Sequence, residues 1–127
     1  MKRVTGIGGI FFKADDPKKL RDWYAKHLAI PIEEWGGVAF KWREQEDPKR
    51  EGYTVWSPFE KDTEYFTPSK KPFMINFRVE NLDAVLDQLQ SEGVTVDSKR
   101  EESELGKFGW IMDPEGNRIE LWQPPSQ

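Results

Sequence analysis

The 127-residue sequence contains no cysteine and a single histidine, His27. The chain therefore has no disulfide, no thiolate nucleophile and no cysteine-ligated zinc. Since His27 follows Trp23 and Tyr24 at helical spacing, we interpret it as a partly buried, hydrogen-bonded packing residue of a helix rather than as a catalytic group.

Long apolar runs and clusters of one charge are also missing. The longest apolar stretches are a few residues, far short of a membrane span, and the N-terminus does not have the apolar core of a signal peptide. The net charge is −4, with acidic and basic residues interspersed and no basic stripe. We therefore expect a cytoplasmic protein with neither nucleic acid nor a membrane as its partner.

Apolar side chains are nevertheless abundant enough for a core. They make up 36% of the sequence, and six tryptophans, eight phenylalanines and three tyrosines are among them. That content excludes a disordered chain even though 33% of the residues are charged. The length fits one compact domain, residues 1–127.

The first half has the pattern of a strand, a helix and three further strands. Asp16 is suited to cap the helix and Pro17 to begin it, while Pro31 closes it. Gly36 and Gly37 interrupt the strand patterns that follow. The strands are predicted at residues 4–14, 31–35, 37–43 and 52–57.

The second half repeats this order. Asn81 is suited to cap a helix over residues 82–92, and Gly93 ends it. The last two strands are joined by a turn at residues 113–117, in which Pro114 comes early and Gly116 occupies a position suited to positive φ. The strands are predicted at residues 74–79, 94–99, 107–113 and 117–122.

Short sequence matches support an internal repeat. Residues 12–15 (Phe-Lys-Ala-Asp) match residues 77–80 (Phe-Arg-Val-Glu) at an offset of 65. Residues 56–58 (Trp-Ser-Pro) match residues 122–124 (Trp-Gln-Pro) at an offset of 66. Two matches at nearly constant offset, with the same element order between them, favour two modules, at about 4–58 and 72–124.

The repeat and two motifs resemble the vicinal oxygen chelate superfamily, which comprises glyoxalases, bleomycin resistance proteins and extradiol dioxygenases. The motifs are Asp16-Pro-x-x-Leu-x-x-Trp-Tyr-x-x-x-Leu28 and Asp113-Pro-Glu-Gly-Asn-x-Ile-Glu-Leu121. The resemblance implies an α+β fold with two tandem βαβββ modules, in which eight strands of a mixed sheet form a cup with the helices outside. It also implies a homodimer.

Enzymes of this superfamily usually hold a divalent ion at four equivalent strand positions. Carried over through the repeat, these positions are Gly9, Thr54, Met74 and Glu120, of which only Glu120 is a usual ligand. We therefore predict no metal, and no other cofactor.

Strand alternation predicts the lining of the cup, because successive side chains point to opposite faces. Glu120 is the candidate catalytic residue, as a general base if its pKa is raised. In the alternative interpretation Glu120 only pairs with Arg78 or Arg118 while aromatic rings fill the cup. The candidate ligand-binding residues are Phe11, Thr54, Trp56, Asn76, Arg78, Arg118 and Trp122.

Three functions remain open at this point. A protein that sequesters or senses a small molecule needs only the aromatic cup and is favoured, and the two arginines suggest an anionic or carbonyl-bearing ligand. A lyase, isomerase or dioxygenase acting on a small oxygen-rich substrate would use Glu120 as base or metal ligand. An interaction module with a vestigial cup is the third. The connection at residues 57–72 is either a surface linker whose aromatics pack back onto the domain, or a lid or partner-binding segment.

Overall fold

The computed structural model describes residues 3–126, which form two helices and seven strands. The elements follow the chain as β1 (Val4–Ala14), α1 (Pro17–Leu28), β2 (Val38–Arg43), β3 (Glu51–Glu60), β4 (Phe73–Val79), α2 (Leu82–Ser91), β5 (Thr95–Ser103), β6 (Gly106–Met112) and β7 (Arg118–Gln123). The predicted α+β class is confirmed. None of the helices in these residues is long and apolar enough to cross a membrane.

The strands form one open mixed sheet in the order β2-β3-β1-β4-β7-β6-β5. The antiparallel pair β1–β4 lies at its centre, and each of these strands has a parallel neighbour on its other side, β3 for β1 and β7 for β4. The two halves of the sheet therefore have matching order about the β1–β4 pair.

The strand predicted at residues 31–35 is absent, and the predicted total of eight strands is reduced to seven. The segment folds on itself: the Glu33 N–H donates to the Gly37 carbonyl (2.8 Å) and the Gly36 N–H to the Glu33 carbonyl (3.0 Å). Pro31 has no N–H for a ladder, and Gly36 has φ +98°, a turn conformation. In residues 3–126 this leaves β2 at the edge of the sheet, whereas β6, its counterpart, is paired on both sides.

Both predicted helix N-caps are confirmed. The Asp16 carboxylate accepts a hydrogen bond from the Lys19 N–H (3.1 Å), and the Asn81 side chain accepts one from the Ala84 N–H (3.1 Å). Each bond satisfies one of the free N–H groups of a first helical turn.

The described residues form two separate buried clusters. One lies beneath α2, where Val79, Leu82, Val85, Leu86 and Leu121 pack together. The other consists of Phe66, Met74 and Trp110, and Phe66 belongs to the connection between β3 and β4 (residues 61–72). Phe66 is fully buried, so the aromatics of this connection pack back onto the domain. Phe11, Phe59, Tyr65 and Phe108 pack against the second cluster and also line a cavity over the sheet. The cluster therefore closes one end of that cavity.

Candidate functional site

Four residues form a row across the central strands. Val55 of β3 lies opposite Gly9 of β1, Gly9 lies opposite Asn76 of β4, and Asn76 lies beside Glu120 of β7. This row differs from the four predicted ligand positions, because Val55 takes the place of Thr54 and Asn76 the place of Met74. The quasi-symmetric centre of the sheet thus carries two polar side chains, both from the second half of the chain.

A cup of about 560 Å³ opens over this row. Its wall is mainly aromatic and aliphatic, and its polar side chains are two glutamates, one asparagine and the hydroxyls of two tyrosines. The lining residues are Gly8, Phe11, Glu33, Trp35, Ala39, Tyr53, Val55, Phe59, Tyr65, Asn76, Leu105, Phe108, Glu120 and Trp122.

Glu120 is the buried polar centre of the cup, with 2% of its surface exposed. Its Oε1 accepts a hydrogen bond from Asn76 Nδ2 (2.6 Å), and its Oε2 accepts one from Trp110 Nε1 (3.0 Å) and one from the Tyr65 hydroxyl. Burial raises the pKa of Glu120, and the three hydrogen bonds oppose that rise. A carboxyl group in this setting can hold or release a proton at the floor of the cup.

Tyr65, which donates to Glu120, is one of several residues of the cup that were not predicted from the sequence. It lies in the β3–β4 connection, 55 residues from Glu120 in the chain. Burial, followed by the neighbouring Glu120 charge, raises the pKa of Tyr65 above its usual value, so the hydroxyl stays protonated as a donor. The only signal in the sequence was the presence of aromatic residues in this otherwise charged connection.

Four of the predicted site residues line the cup: Phe11, Asn76, Glu120 and Trp122. Their binding or catalytic roles stay predictions. Glu120 bonds to neutral groups and not to Arg78 or Arg118, and an open volume remains between the aromatic rings. The interpretation in which Glu120 only pairs with an arginine in a filled cup is therefore wrong.

Thr54 and Trp56 do not line the cup. The Trp56 ring packs 4.8 Å from that of Tyr24 on α1, which places it on the helix side of the sheet. The Thr54 hydroxyl accepts a hydrogen bond from Trp42 Nε1 (2.8 Å) and donates one to the Ile7 carbonyl. The predicted orientation of β3 is wrong by one residue, and such a shift exchanges the two faces of a strand.

The two arginines also lie outside the cup lining. Arg118 is paired with Asp97 (3.0 Å) and its guanidinium lies 5.1 Å from the centre of the Trp110 ring. The Arg78 guanidinium lies among three rings, at 5.3 Å from Trp42, 5.6 Å from Tyr53 and 5.2 Å from Trp122. The expectation that these arginines face the cavity is therefore wrong, because their long side chains reach past the cup wall and stack on the aromatic residues.

His27 lies on α1, outside the cup. Its side chain is exposed to solvent and its ring lies 4.9 Å from that of Trp23, which is 52% exposed. The predicted partial burial is wrong because the Trp23 and His27 side of α1 turns towards solvent, whereas Tyr24 contacts the sheet.

The donor set of the cup does not fit the metal site that the superfamily implies. Two of the four row positions, Gly9 and Val55, have no donor atom in their side chains. Residues 3–126 contain no group of three or more histidine, aspartate or glutamate side chains that could hold an ion. Glu120 instead accepts hydrogen bonds from three protein donors.

The hydrogen bond from Tyr65 gives a testable expectation. Tyr65→Phe removes one of the three donors that stabilise the ionised carboxylate, so the pKa of Glu120 should rise further. The titration of the Glu120 carboxyl carbon, followed by NMR, should shift to higher pH. Tyr53→Phe is the matched control, because Tyr53 lines the same cup and its hydroxyl is not among the donors to Glu120. An unchanged Glu120 titration in Tyr65→Phe would contradict the network.

Comparison with known proteins places this geometry in a family. Residues 9–122 match the family of glyoxalase-like domains, and no curated protein matches the chain. Methylmalonyl-CoA epimerase from Mycobacterium tuberculosis superposes with a TM-score of 0.61 at 19% identity, covering 99% of this chain and 92% of that one. The Streptomyces coelicolor methylmalonyl-CoA epimerase, in complex with 2-nitronate-propionyl-CoA, superposes with a TM-score of 0.68 at 17% identity, covering 97% and 99%.

A halotolerant catechol dioxygenase superposes with a TM-score of 0.56 at 17% identity, over 98% of this chain and 41% of its own. At such identities these similarities concern the fold, and they agree with the family match over nearly the whole chain. The protein belongs to the glyoxalase-like domain family, within the vicinal oxygen chelate superfamily.

Proposed function

We propose that the protein binds a small organic molecule inside the cup, without the metal ion that many members of its superfamily use. The observation that carries this proposal is an open cavity of about 560 Å³ with seven aromatic side chains in its wall and the buried Glu120 at its floor. Ligand sites of small molecules are commonly cavities of this size, mostly apolar and with a few convergent polar groups.

An enzymatic function is the second candidate, and the raised pKa of Glu120 favours it. A carboxyl group with a pKa closer to neutrality can remove a proton from a substrate and return it, as lyases and isomerases require. Tyr65 and Asn76 would hold the carboxyl group in place, and a small oxygen-rich substrate would lie above it. Two of the similar structures are epimerases that act on methylmalonyl-CoA.

We also propose that the protein acts as a homodimer in the cytoplasm. The support for a dimer is a group of apolar side chains on β1, Val4, Ile7 and Ile10, which are 43–46% exposed in the single chain. Burial of this surface against a second copy would remove it from water.

Saturable binding in the cup tests the proposed function. Naphthylmethanol, a neutral probe with an apolar ring system and one hydroxyl, should bind the protein in a one-to-one ratio, which isothermal titration calorimetry measures. Val55→Trp should weaken this binding about tenfold or more, because the larger side chain occupies the centre of the cup. Leu28→Trp is the matched control, since Leu28 is exposed at the end of α1, does not line the cup and lies outside the proposed dimer surface.

Circular dichroism should first establish that both variants are folded. Binding that is equally strong in Val55→Trp and the wild type would place the probe elsewhere and contradict the proposal. For the enzymatic alternative, turnover of a substrate that survives Glu120→Gln would exclude Glu120 as the base.

A further inference from the structure

The charged side chains that line the cup are both acidic. They are Glu33, near the mouth, and Glu120 at the floor, and among residues 3–126 no lysine or arginine lines the cavity. An anionic ligand would therefore enter a site with like charge and no partner for its own charge, which is costly in an apolar environment.

At the floor, one acceptor atom has no partner at all, whereas every donor atom already makes at least one hydrogen bond. Asn76 Oδ1 is buried and has no hydrogen-bond partner in the described residues, while Asn76 Nδ2 is engaged by Glu120 Oε1. The Tyr65 hydroxyl and Trp110 Nε1 already donate to Glu120 Oε2. A ligand group that donates several hydrogen bonds complements this floor, whereas a carboxylate or phosphate offers only more acceptors.

The walls above this floor present aromatic rings. Trp35, Tyr53, Phe108 and Trp122 all line the cavity; Tyr53 and Trp122 already contact Arg78, and a free ring face attracts a cation that is removed from water. The same rings provide contact surface for an apolar ligand body.

Two cations outside the wall oppose this preference. Arg118 is neutralised by Asp97 at 3.0 Å. The charge of Arg78 lies 5.2 Å from the centre of the Trp122 ring, behind the cup wall, where its Nε and Nη1 are buried without a hydrogen-bond partner in the described residues and Glu44 acts on it electrostatically. Neither arginine lines the cavity, so the two glutamates dominate the charge that a ligand meets.

We propose that the cup is selective for apolar, ring-containing molecules that carry a protonated amine. The ammonium group donates hydrogen bonds to the Glu120 carboxylate and Asn76 Oδ1, and the ring system lies against the aromatic wall. This inference rests on the proposed function, because it specifies the ligand class of the same cup.

Three naphthalene probes that differ only in their head group test this selectivity by isothermal titration calorimetry at neutral pH. Naphthylmethylamine, a cation, should bind about tenfold more tightly than neutral naphthylmethanol. Naphthoate, an anion, should bind most weakly. Because the ranking is measured on the wild-type protein, the result does not depend on the folding of any variant.

Variants then locate the charge that produces the ranking. Glu120→Gln should bring the affinity for the amine close to that for the alcohol, with little change for the alcohol itself. Glu34→Gln is the control, because Glu34 is exposed next to the lining residue Glu33 and does not line the cup. It should leave all three affinities unchanged.

The outcomes separate this inference from the proposed function. If naphthylmethanol or naphthoate binds as tightly as the amine and Val55→Trp blocks that binding, the selectivity is overturned and the cup remains a binding site. If the amine preference persists in Glu120→Gln, the assigned ammonium position is wrong. If none of the probes binds saturably, the proposed function fails, and the inference fails with it.

Discussion

Trp110→Ala is expected to lower the free energy of unfolding by about 3–5 kcal/mol. Trp110 is fully buried in the cluster with Phe66 and Met74, so truncation leaves a cavity between β6 and the β3–β4 connection. The change also removes the donor that reaches Glu120 Oε2 at 3.0 Å. A buried carboxyl group that loses a donor is destabilised in its ionised form.

Trp110→Phe separates these two contributions. It keeps an aromatic ring in the cluster and deletes the indole N–H, so we expect a smaller loss of about 1–3 kcal/mol. Trp23→Ala is the control, since Trp23 is 52% exposed on α1, and it should cost less than about 1 kcal/mol. Urea denaturation of the three variants measures the differences. Equal losses for Trp110→Ala and Trp23→Ala would show that this end of the cup is not packed as described.

Local signals in the sequence were sufficient for most of the fold. Asp16 and Asn81 mark helix starts because their short polar side chains satisfy free N–H groups, and this chemistry does not depend on the rest of the molecule. The repeat at an offset of about 65 residues likewise predicted the matching halves of the sheet.

Such local signals could not predict that residues 31–35 do not form a strand. Ile30 and Ile32 alternate with other residues as in a strand, yet a strand exists only where another strand pairs with it. The Glu33 and Gly37 backbones bond to each other instead. Periodicity reports which side chains are apolar and carries no information about the pairing partner.

The residues that line the cup were likewise predictable from the sequence only in part. Side chains alternate regularly within β4 and β7, so the sequence correctly predicted that Asn76, Glu120 and Trp122 line the cup. In β3, Trp56 was aligned with Trp122 at an offset of 66, whereas the cup-facing Val55 matches Glu120 at 65. One residue of error exchanged the two faces of the strand. Tyr65 has no periodic signal, because only the tertiary fold brings its connection to Glu120.

The misplaced arginines show how an error in the position of a side chain changes the predicted function. Arg78 and Arg118, placed in the cup by alternation alone, suggested an anionic ligand. A long side chain, however, can carry its charge several ångströms from its strand. Arg118 pairs with Asp97, and Arg78 lies among the rings of Trp42, Tyr53 and Trp122. The charged side chains that line the cup are therefore glutamates, and the charge expected of the ligand is positive rather than negative.

Gly106→Ala is expected to lower the free energy of unfolding by about 3–5 kcal/mol, although it adds a single methyl group. Gly106 begins β6 with φ +116°, a conformation that residues with a side chain rarely adopt. A Cβ atom here would lie 2.2 Å from the backbone oxygen of Gln123 in β7. Since that atom belongs to a paired strand, either the β5–β6 turn or the end of β7 must move.

Gly93→Ala isolates the steric part of this cost. Gly93 also has positive φ, +85°, but a Cβ there would meet nothing within 4 Å, so only the backbone penalty of about 1–2 kcal/mol is expected. The excess in Gly106→Ala should appear in the cup as well, because the neighbouring Leu105 lines it and the Leu105 carbonyl accepts the Trp122 indole N–H at 2.7 Å. Thermal unfolding together with naphthylmethanol titration measures both effects. Equal losses of stability in the two variants would show that the end of β7 at Gln123 moves at no cost to make room for the methyl group. The wall of the cup at Leu105 would then not be held in a fixed position.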